Sequence, residues 1–302
     1  MNKSILLIKR LNIHNANAHS SPYSIGFPAM TAWLGAVHAL QRKLRRDSRF
    51  DDLDELVFPS AGVVCHDFNL HAYRDTDYKS KLILAKAPKV PKRKRKKGEP
   101  WEIFTDAPFI PEARCDLTVS LILEYDTDDD ADLIEAVVQN LPTLKIAAGD
   151  IQPFLSDQIS IWQIRTEQDY HALVGELMPG FCLVERRDIM QQAMEDGQDA
   201  LDALIDAVKI THHCEIDENE KVHWHSARQQ KGWLVPIATG FQGISELGHA
   251  ELQRDSDTPH RFAESIVTLA EFIMPYRLNS LEQMLWHYQA DLDNNLYICK
   301  QS

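Results

Sequence analysis

The chain has 302 residues, 44% of them hydrophobic and 25% charged, which excludes a wholly disordered or collagen-like protein. The length suffices for two domains of about 150 residues. The net charge of −13 argues at first against a nucleic-acid partner, but residues 1–100 hold 19 Lys/Arg against 9 Asp/Glu, a net of +10, while residues 101–302 hold 13 against 36, a net of −23.

In chain order, residues 4–13 are rich in Ile and Leu and predict a first strand. A Ser/Pro/Gly-containing loop follows from Asn15 to Pro28. Met30, Trp33, Val37, Leu40 and Leu44 then recur at helical spacing, with Arg42, Lys43, Arg45 and Arg46 at the end of the helix, where cations suit its dipole. Strands are expected at 62–70 and 113–125, the second with Leu117, Val119, Leu121 and Leu123 on one face. A helix with Leu133, Ile134, Val137, Val138 and Leu141 as its stripe and a short strand over Leu144–Ala148 complete the unit. The order is β-α-β-β-α-β, so the expected class is α+β with a ferredoxin/RRM-like N-terminal domain over 1–155. Between its middle strands lies an insertion, residues 75–111, with five prolines and the run Lys92-Arg93-Lys94-Arg95-Lys96-Lys97. From Lys79 to Lys97 there are ten cations and no acid. Such an insertion would project from one end of the sheet as a basic, thumb-like finger.

Residues 156–302 read as an acidic, mixed α/β region. Strands are expected at 159–164, 181–184 and 232–237, and one helix over 188–208. Thr258 and Pro259 open a helix with the stripe Phe262, Ile266, Leu269 and Ile273. Ser280 and Gln283 form a capping box for a last helix bearing Leu281, Leu285 and Tyr288. Five widely spaced cysteines without a C-x-x-C give a reduced, intracellular pattern. The four apolar residues before Lys9 and Arg10 are too few for a signal peptide, and no run approaches the ~18 of a membrane helix. A cytoplasmic protein without membrane association is expected.

Two segments carry binding chemistry. The basic run releases counterions when it meets phosphates and supplies sequence-independent affinity for a polyanion; without one it is a solvated loop. In Asn15–Phe27, the side chains of Asn15, Asn17, Ser20 and Ser21 both donate and accept, and His19, Tyr23 and Phe27 can stack on bases, although the same residue types also favour turns. The aromatic signature of an ordinary RRM platform is absent from the strands. The acidic run Asp126–Asp132 fails as a calcium loop, with Ala131 at position 6 and Val137 at position 12. His212, His213, Cys214, His223 and His225 match no standard zinc spacing and read as surface residues. There is no phosphate-binding glycine loop and no nucleophile elbow, so no catalytic residue, metal or cofactor is assigned.

The residues Asn15-Ala16-Asn17-Ala18-x-Ser20-Ser21-Pro22, Gly26-Phe27-Pro28 and His38-Ala39-Leu40-Gln41-Arg42 carry a resemblance that runs in order along the chain. It continues through Gly62-Val63-Val64-Cys65-His66, Pro179-Gly180-Phe181-x-Leu183-Val184, Gly232-Trp233-Leu234-Val235-Pro236-Ile237, Arg261-Phe262 and Leu285-Trp286-His287-Tyr288. The chain resembles the second-subunit family of the Csy complex, the Cas-five-like RAMP proteins of type I-F CRISPR surveillance assemblies. It departs at Asp150, where a small residue is expected, and in the lysine-rich finger. The resemblance implies a non-catalytic RNA-binding subunit of an antiviral complex. Such a subunit grips the 5′ handle of the CRISPR RNA, pairs with the large subunit at the foot, touches the first backbone subunit through its thumb, and meets target double-stranded DNA as part of the assembly. Handle contacts then fall on Arg10, Asn15, Asn17, His19, Ser20, Ser21, Phe27 and Arg42, with Lys92, Arg93, Lys94 and Arg95 in the thumb. The enzymatic alternative is a metal-dependent endoribonuclease using His212–His225, and a third reading is a pure protein scaffold.

Overall fold

The computed structural model describes residues 3–74, 80–83, 89–91, 104–106, 112–126, 130–216, 221–251, 253 and 255–301. The first half supplies β1 (Lys3–Asn17), α1 (Met30–Leu44), β2 (Val57–Leu70), β3 (Arg114–Asp126), α2 (Asp130–Asn140) and β4 (Gly149–Ile151). The second supplies β5 (Ile159–Ile164), α3 (Glu167–Glu176), β6 (Phe181–Glu185), α4 (Arg187–Glu195), α5 (Ala200–Val208), β7 (Ile210–Ile216), β8 (Val222–Arg228), β9 (Leu234–Gly243), β10 (Ala263–Ile273), β11 (Trp286–Asp291) and β12 (Leu296–Gln301). The architecture is α+β, built on one large antiparallel sheet.

The apolar run that opens β1 is buried on both sides. Leu6 and Ile8 join the core formed with α1 and α2, whereas Ile5 and Leu7 face a second core with Tyr170, Leu173 and Leu177 around α3 and with Leu281 and Met284. Twice the pairing of β1 with β3 slips, between Ile8 and Leu11 and between Ile13 and Ala16. Each bulge reverses the inward phase, so Leu6, Ile8, Leu11, Ile13 and Ala16 all reach the same core. The extra residues are accommodated by left-handed backbone at Arg10 (φ 46°) and Asn15 (φ 59°).

The sheet runs β4-β1-β3-β2-β6-β10-β9-β12-β11, with β5 sharing the outer edge of β1 beside β4. At its far end β11 returns to β2 through the pair Trp286 and Ala61, closing β2, β6, β10, β9, β12 and β11 into a ring without a free edge. The fully buried Trp286 donates its indole N–H to the Leu183 carbonyl at 2.9 Å, tying β11 to β6. Gly62 permits the closure, because a Cβ there would stand 2.7 Å from the Met284 carbonyl oxygen. Strands from both sides of the expected boundary at 155 therefore share one sheet.

The stripes expected of α1 and β3 are buried as read. Four expectations are corrected. Residues 263–273 form strand β10, not a helix: the spacing of Phe262, Ile266, Leu269 and Ile273 fits a helix, but pairing with β6 and β9 decides the state. The final helix is replaced by a short turn at Glu282–Met284 followed by β11, so the chain ends in strands rather than in two helices. The single helix at 188–208 is two, α4 and α5, parted at Gly197 (φ 92°). The strand over Leu144–Ala148 covers only Lys145–Ile146. It turns through Ala147 and Ala148, both left-handed, into β4, which pairs with β1. Ala72–Arg74, just before the insertion, pairs with Ser80–Leu82, and within it Lys89–Pro91 pairs with Phe104–Asp106, while Lys92, Arg93, Lys94 and Arg95 lie outside the described residues.

Candidate nucleic-acid interface

The two bulges of β1 place Arg10 and Asn15 out of the regular ladder. The Arg10 backbone N–H donates to Ser120 Oγ at 3.1 Å, and its guanidinium reaches only the Met178 carbonyl, at 3.2 Å, so its charge meets no carboxylate among the described residues. Ser120 Oγ lies 2.7 Å from His66 Nε2, and His66 Nδ1 lies 2.6 Å from the Pro179 carbonyl. A carbonyl can only accept, so Nδ1 carries the proton and Nε2 accepts from the serine hydroxyl. Burial pushes the His66 pKa down, opposed by the Pro179 hydrogen bond and aided by the nearby Arg10 charge; the neutral ring is favoured.

Asn15 belongs to a second small network. Its backbone N–H donates to Asp116 Oδ1 at 2.9 Å, and Asp116 Oδ2 lies 3.0 Å from His71 Nε2. Burial raises the Asp116 carboxyl, but the Asn15 N–H and His71 outweigh it, and the group sits below the ordinary aspartate value. Asparagine is one of the few side chains that tolerate left-handed backbone, which is a structural reason for its presence at this bulge.

Beyond the bulges the chain folds on itself. Asn17 Oδ1 accepts the His19 N–H at 2.8 Å, Ser21 Oγ accepts the Tyr23 N–H at 3.2 Å, and the hydroxyls of Ser21 and Ser24 lie 2.7 Å apart. Ser20 lies 3.2 Å from the same Ser24 hydroxyl. Asn17, His19, Ser20 and Ser21 are thus gathered in one tight turn, with Ser21 buried and the other three half-buried. The outward aromatic is Tyr23, 73% exposed. Phe27 is different: it is 6% exposed and stacks on Trp33 at 5.4 Å, so its ring face belongs to the core.

Arg42 is not part of this group. It stands twelve residues along α1 from Met30, about 18 Å up the helix. There it lines a concavity of about 520 Å³ with Lys43 and Arg46. Arg46, one turn on from Arg42, makes no side-chain hydrogen bond or ion pair among the described residues. Arg49 is held by Asp47, whose carboxyl is driven far below its ordinary value first by that hydrogen bond and then by Asn140. Sequence reading singled out Arg42 alone, although the four-residue spacing to Arg46 was available as the sign of a paired basic face.

The histidine cluster lies on the ribbon formed by β7 and β8. His213 stands opposite His225 and Glu215 opposite His223, and every residue of both strands is exposed. Among the described residues no group of three or more His, Cys, Asp or Glu converges as a metal site. No helix of the described residues is long and apolar enough to cross a membrane.

A β-bulged strand beside a half-buried polar turn, on one large antiparallel sheet with helices against it, defines the class as a mixed α+β protein. Comparison with known proteins gives the family. The model of the family described as "CRISPR-associated protein (Cas_Csy2)" matches residues 6–299. The CRISPR-associated protein Csy2 of Pseudomonas aeruginosa (strain UCBPP-PA14) is 30% identical over 328 residues, an alignment covering 98% of this chain and 94% of that one. The chain belongs to the Csy2 family and is thereby a subunit of the type I-F CRISPR Csy complex.

Proposed function

We propose that the chain is the non-catalytic subunit that captures the 5′ handle of the CRISPR RNA, pairing with the large subunit at the foot of the complex and touching the first backbone subunit through its basic insertion. In this reading it is a cytoplasmic, Cas-five-like RAMP protein that meets target double-stranded DNA only within the assembly. The observation that carries the reading is the match to the Csy2 family along nearly the whole chain, with a net charge of +10 over its first hundred residues. The order β4-β1-β3-β2, with α1 and α2 sharing one core, supports a ferredoxin/RRM-like first half. The opposite face of that sheet is occupied by α3 and the 278–285 segment, so RNA is read by strand bulges and the 15–25 turn rather than by an open sheet face.

The test is an electrophoretic shift of a short single-stranded handle RNA by this chain with its large-subunit partner. Replacing Asn15, Asn17 and Ser20 together by Ala should weaken binding by about tenfold, one or two hydrogen bonds' worth, and an unchanged shift refutes the turn as the reader. Replacing Lys92–Lys97 by Ser should weaken all RNAs alike and flatten the salt slope by about 0.7 for each phosphate left unneutralised.

A further inference from the structure

A cleft of about 400 Å³ opens between the two halves of the large sheet, within the range of about 300–1,000 Å³ typical of small-ligand pockets. Five aromatic rings run round it in an unbroken chain. Phe181 meets Trp233 at 5.1 Å, Trp233 meets Phe272 at 5.1 Å, Phe272 meets Phe27 at 5.3 Å, and Phe27 meets Phe68 at 6.5 Å. Phe27 is a core residue and Phe181 and Phe272 are half-buried, but Trp233 is 50% and Phe68 37% exposed, so the rim offers ring surface to solvent. Two polar groups interrupt the apolar lining. His66 is committed to Pro179 and Ser120, while the exposed Asp67 carboxylate has no hydrogen-bond or ion-pair partner among the described residues.

We propose that this cleft is a nucleobase pocket that takes one unstacked base of a single-stranded RNA, with preference for guanine. The inference rests on the RNA-binding reading above and adds to it a site whose lining shares only Phe27 with the residues assigned from sequence. Aromatic rings at the mouth stack on any base. The carboxylate supplies the selection. It offers two acceptors side by side, and guanine is the standard base that presents two adjacent donors, N1–H and the N2 amino group, on its Watson–Crick edge. Adenine and cytosine offer one amino group beside an acceptor, and uracil flanks its single N–H with two carbonyls. Arg10, which acts on His66 from alongside and lacks a carboxylate partner, places a cation near the cleft for the flanking phosphate. An apolar protein side chain fits less well, because it would desolvate Asp67 with nothing to pair it.

The test uses the full chain, alone and with its large-subunit partner, and fluorescence anisotropy of labelled RNA octamers: oligouridine, and oligouridine with a single G, A or C at each position. A guanine at one position should tighten binding about tenfold over the same position as A, C or U. Trp233→Ala should weaken that RNA by about tenfold or more, the contribution of stacking one base. Asp67→Asn, which turns one acceptor into a donor at an exposed position, should erase the guanine preference while leaving oligouridine unchanged. Phe68→Ser checks the rim independently should Trp233→Ala alter folding. If Trp233→Ala, Phe68→Ser and Asp67→Asn bind every octamer as the parent chain does while replacing Lys92–Lys97 by Ser weakens them all, RNA binding stands and the pocket falls. If the variants no longer hold the large subunit but keep RNA affinity, the occupant is a protein side chain and the proposal is overturned. If the parent chain binds no octamer in either setting, the RNA reading itself fails.

Discussion

The left-handed backbone at Arg10 makes a sign-reversing prediction about stability. In an ordinary strand, glycine is less stable than alanine by about 0.5–1 kcal/mol, because the unfolded chain has more freedom to lose. At φ 46° a Cβ crowds the following carbonyl, a penalty of about 1–2 kcal/mol that glycine escapes. Arg10→Ala and Arg10→Gly both remove the guanidinium bond to Met178 and both keep the backbone bonds to Ser120 and Gln158, so their difference isolates the backbone. Arg10→Gly should therefore exceed Arg10→Ala by about 0.5–1 kcal/mol. The same pair at Asn12, a strand residue whose bond from Thr118 disappears equally in both variants, should show the opposite order. Thermal unfolding followed by circular dichroism resolves this, since about 1 kcal/mol moves the midpoint of a protein this size by about 2–4 °C. If alanine is as stable as glycine at Arg10, the bulge is not strained and its identification as a conformational device is refuted.

Three further predictions test the fold. Trp286→Phe, which removes the indole donor to the Leu183 carbonyl and leaves a void in the ring, should destabilise the chain by about 2–4 kcal/mol, whereas Trp224→Ser on the exposed ribbon (67% exposed) should stay within about 0.5 kcal/mol; equal effects would refute the ring closure. Burial pushes the thiols of Cys65, Cys115, Cys182 and Cys299 up to about 12, so under native conditions at pH 8 a thiol reagent should label Cys214 alone, and all five in denaturant. His66, depressed below its unfolded value of about 6.5, is neutral when folded and takes a proton more readily when unfolded. Its contribution to stability should be full above that value and be lost as pH falls from it toward the folded pKa; His66→Gln should flatten the thermal-midpoint profile between pH 7 and 5, and an unchanged slope would refute the assignment.

What the sequence revealed follows from how local the determining physics is. The stripe Met30, Trp33, Val37, Leu40, Leu44 and the alternation Leu117, Val119, Leu121, Leu123 each bury against one neighbouring layer, and both were legible. Residues 262–273 satisfy a helical spacing by coincidence, and only the pairing of Val235 with Ala270 and of Cys182 with Ile273 across long separations makes them a strand. The closure of Trp286 onto Ala61 joins residues 225 positions apart, with no local signal to announce it. At the candidate site, Asn15 and Asn17 were found as polar side chains, but the bulges that position them were not, because arginine at position 10 gives no hint of left-handed backbone. Phe27 was read as a base-stacking residue on composition; its neighbours Trp33 and Phe272 come from other elements and put it in the core.

The bulges also bear on how a sheet with both faces covered can present polar groups at its surface. An RRM reads RNA across an exposed sheet face, yet here Ile5, Leu7, Val64 and Ile122 on the second face of the sheet lie under α3 and the segment containing Leu281 and Met284. A regular β1 would direct every other side chain into one of the two cores and leave its middle nothing to present. Each bulge inserts residues that neither core takes, Lys9 and Arg10 at the first, His14 and Asn15 at the second, while Leu11, Ile13 and Ala16 return to the interior. The same irregularity that keeps the core continuous thus brings cations, an imidazole and an amide to the surface from a strand whose other residues reach both cores. A rigid, deeply anchored strand is a better mount for such groups than a free loop.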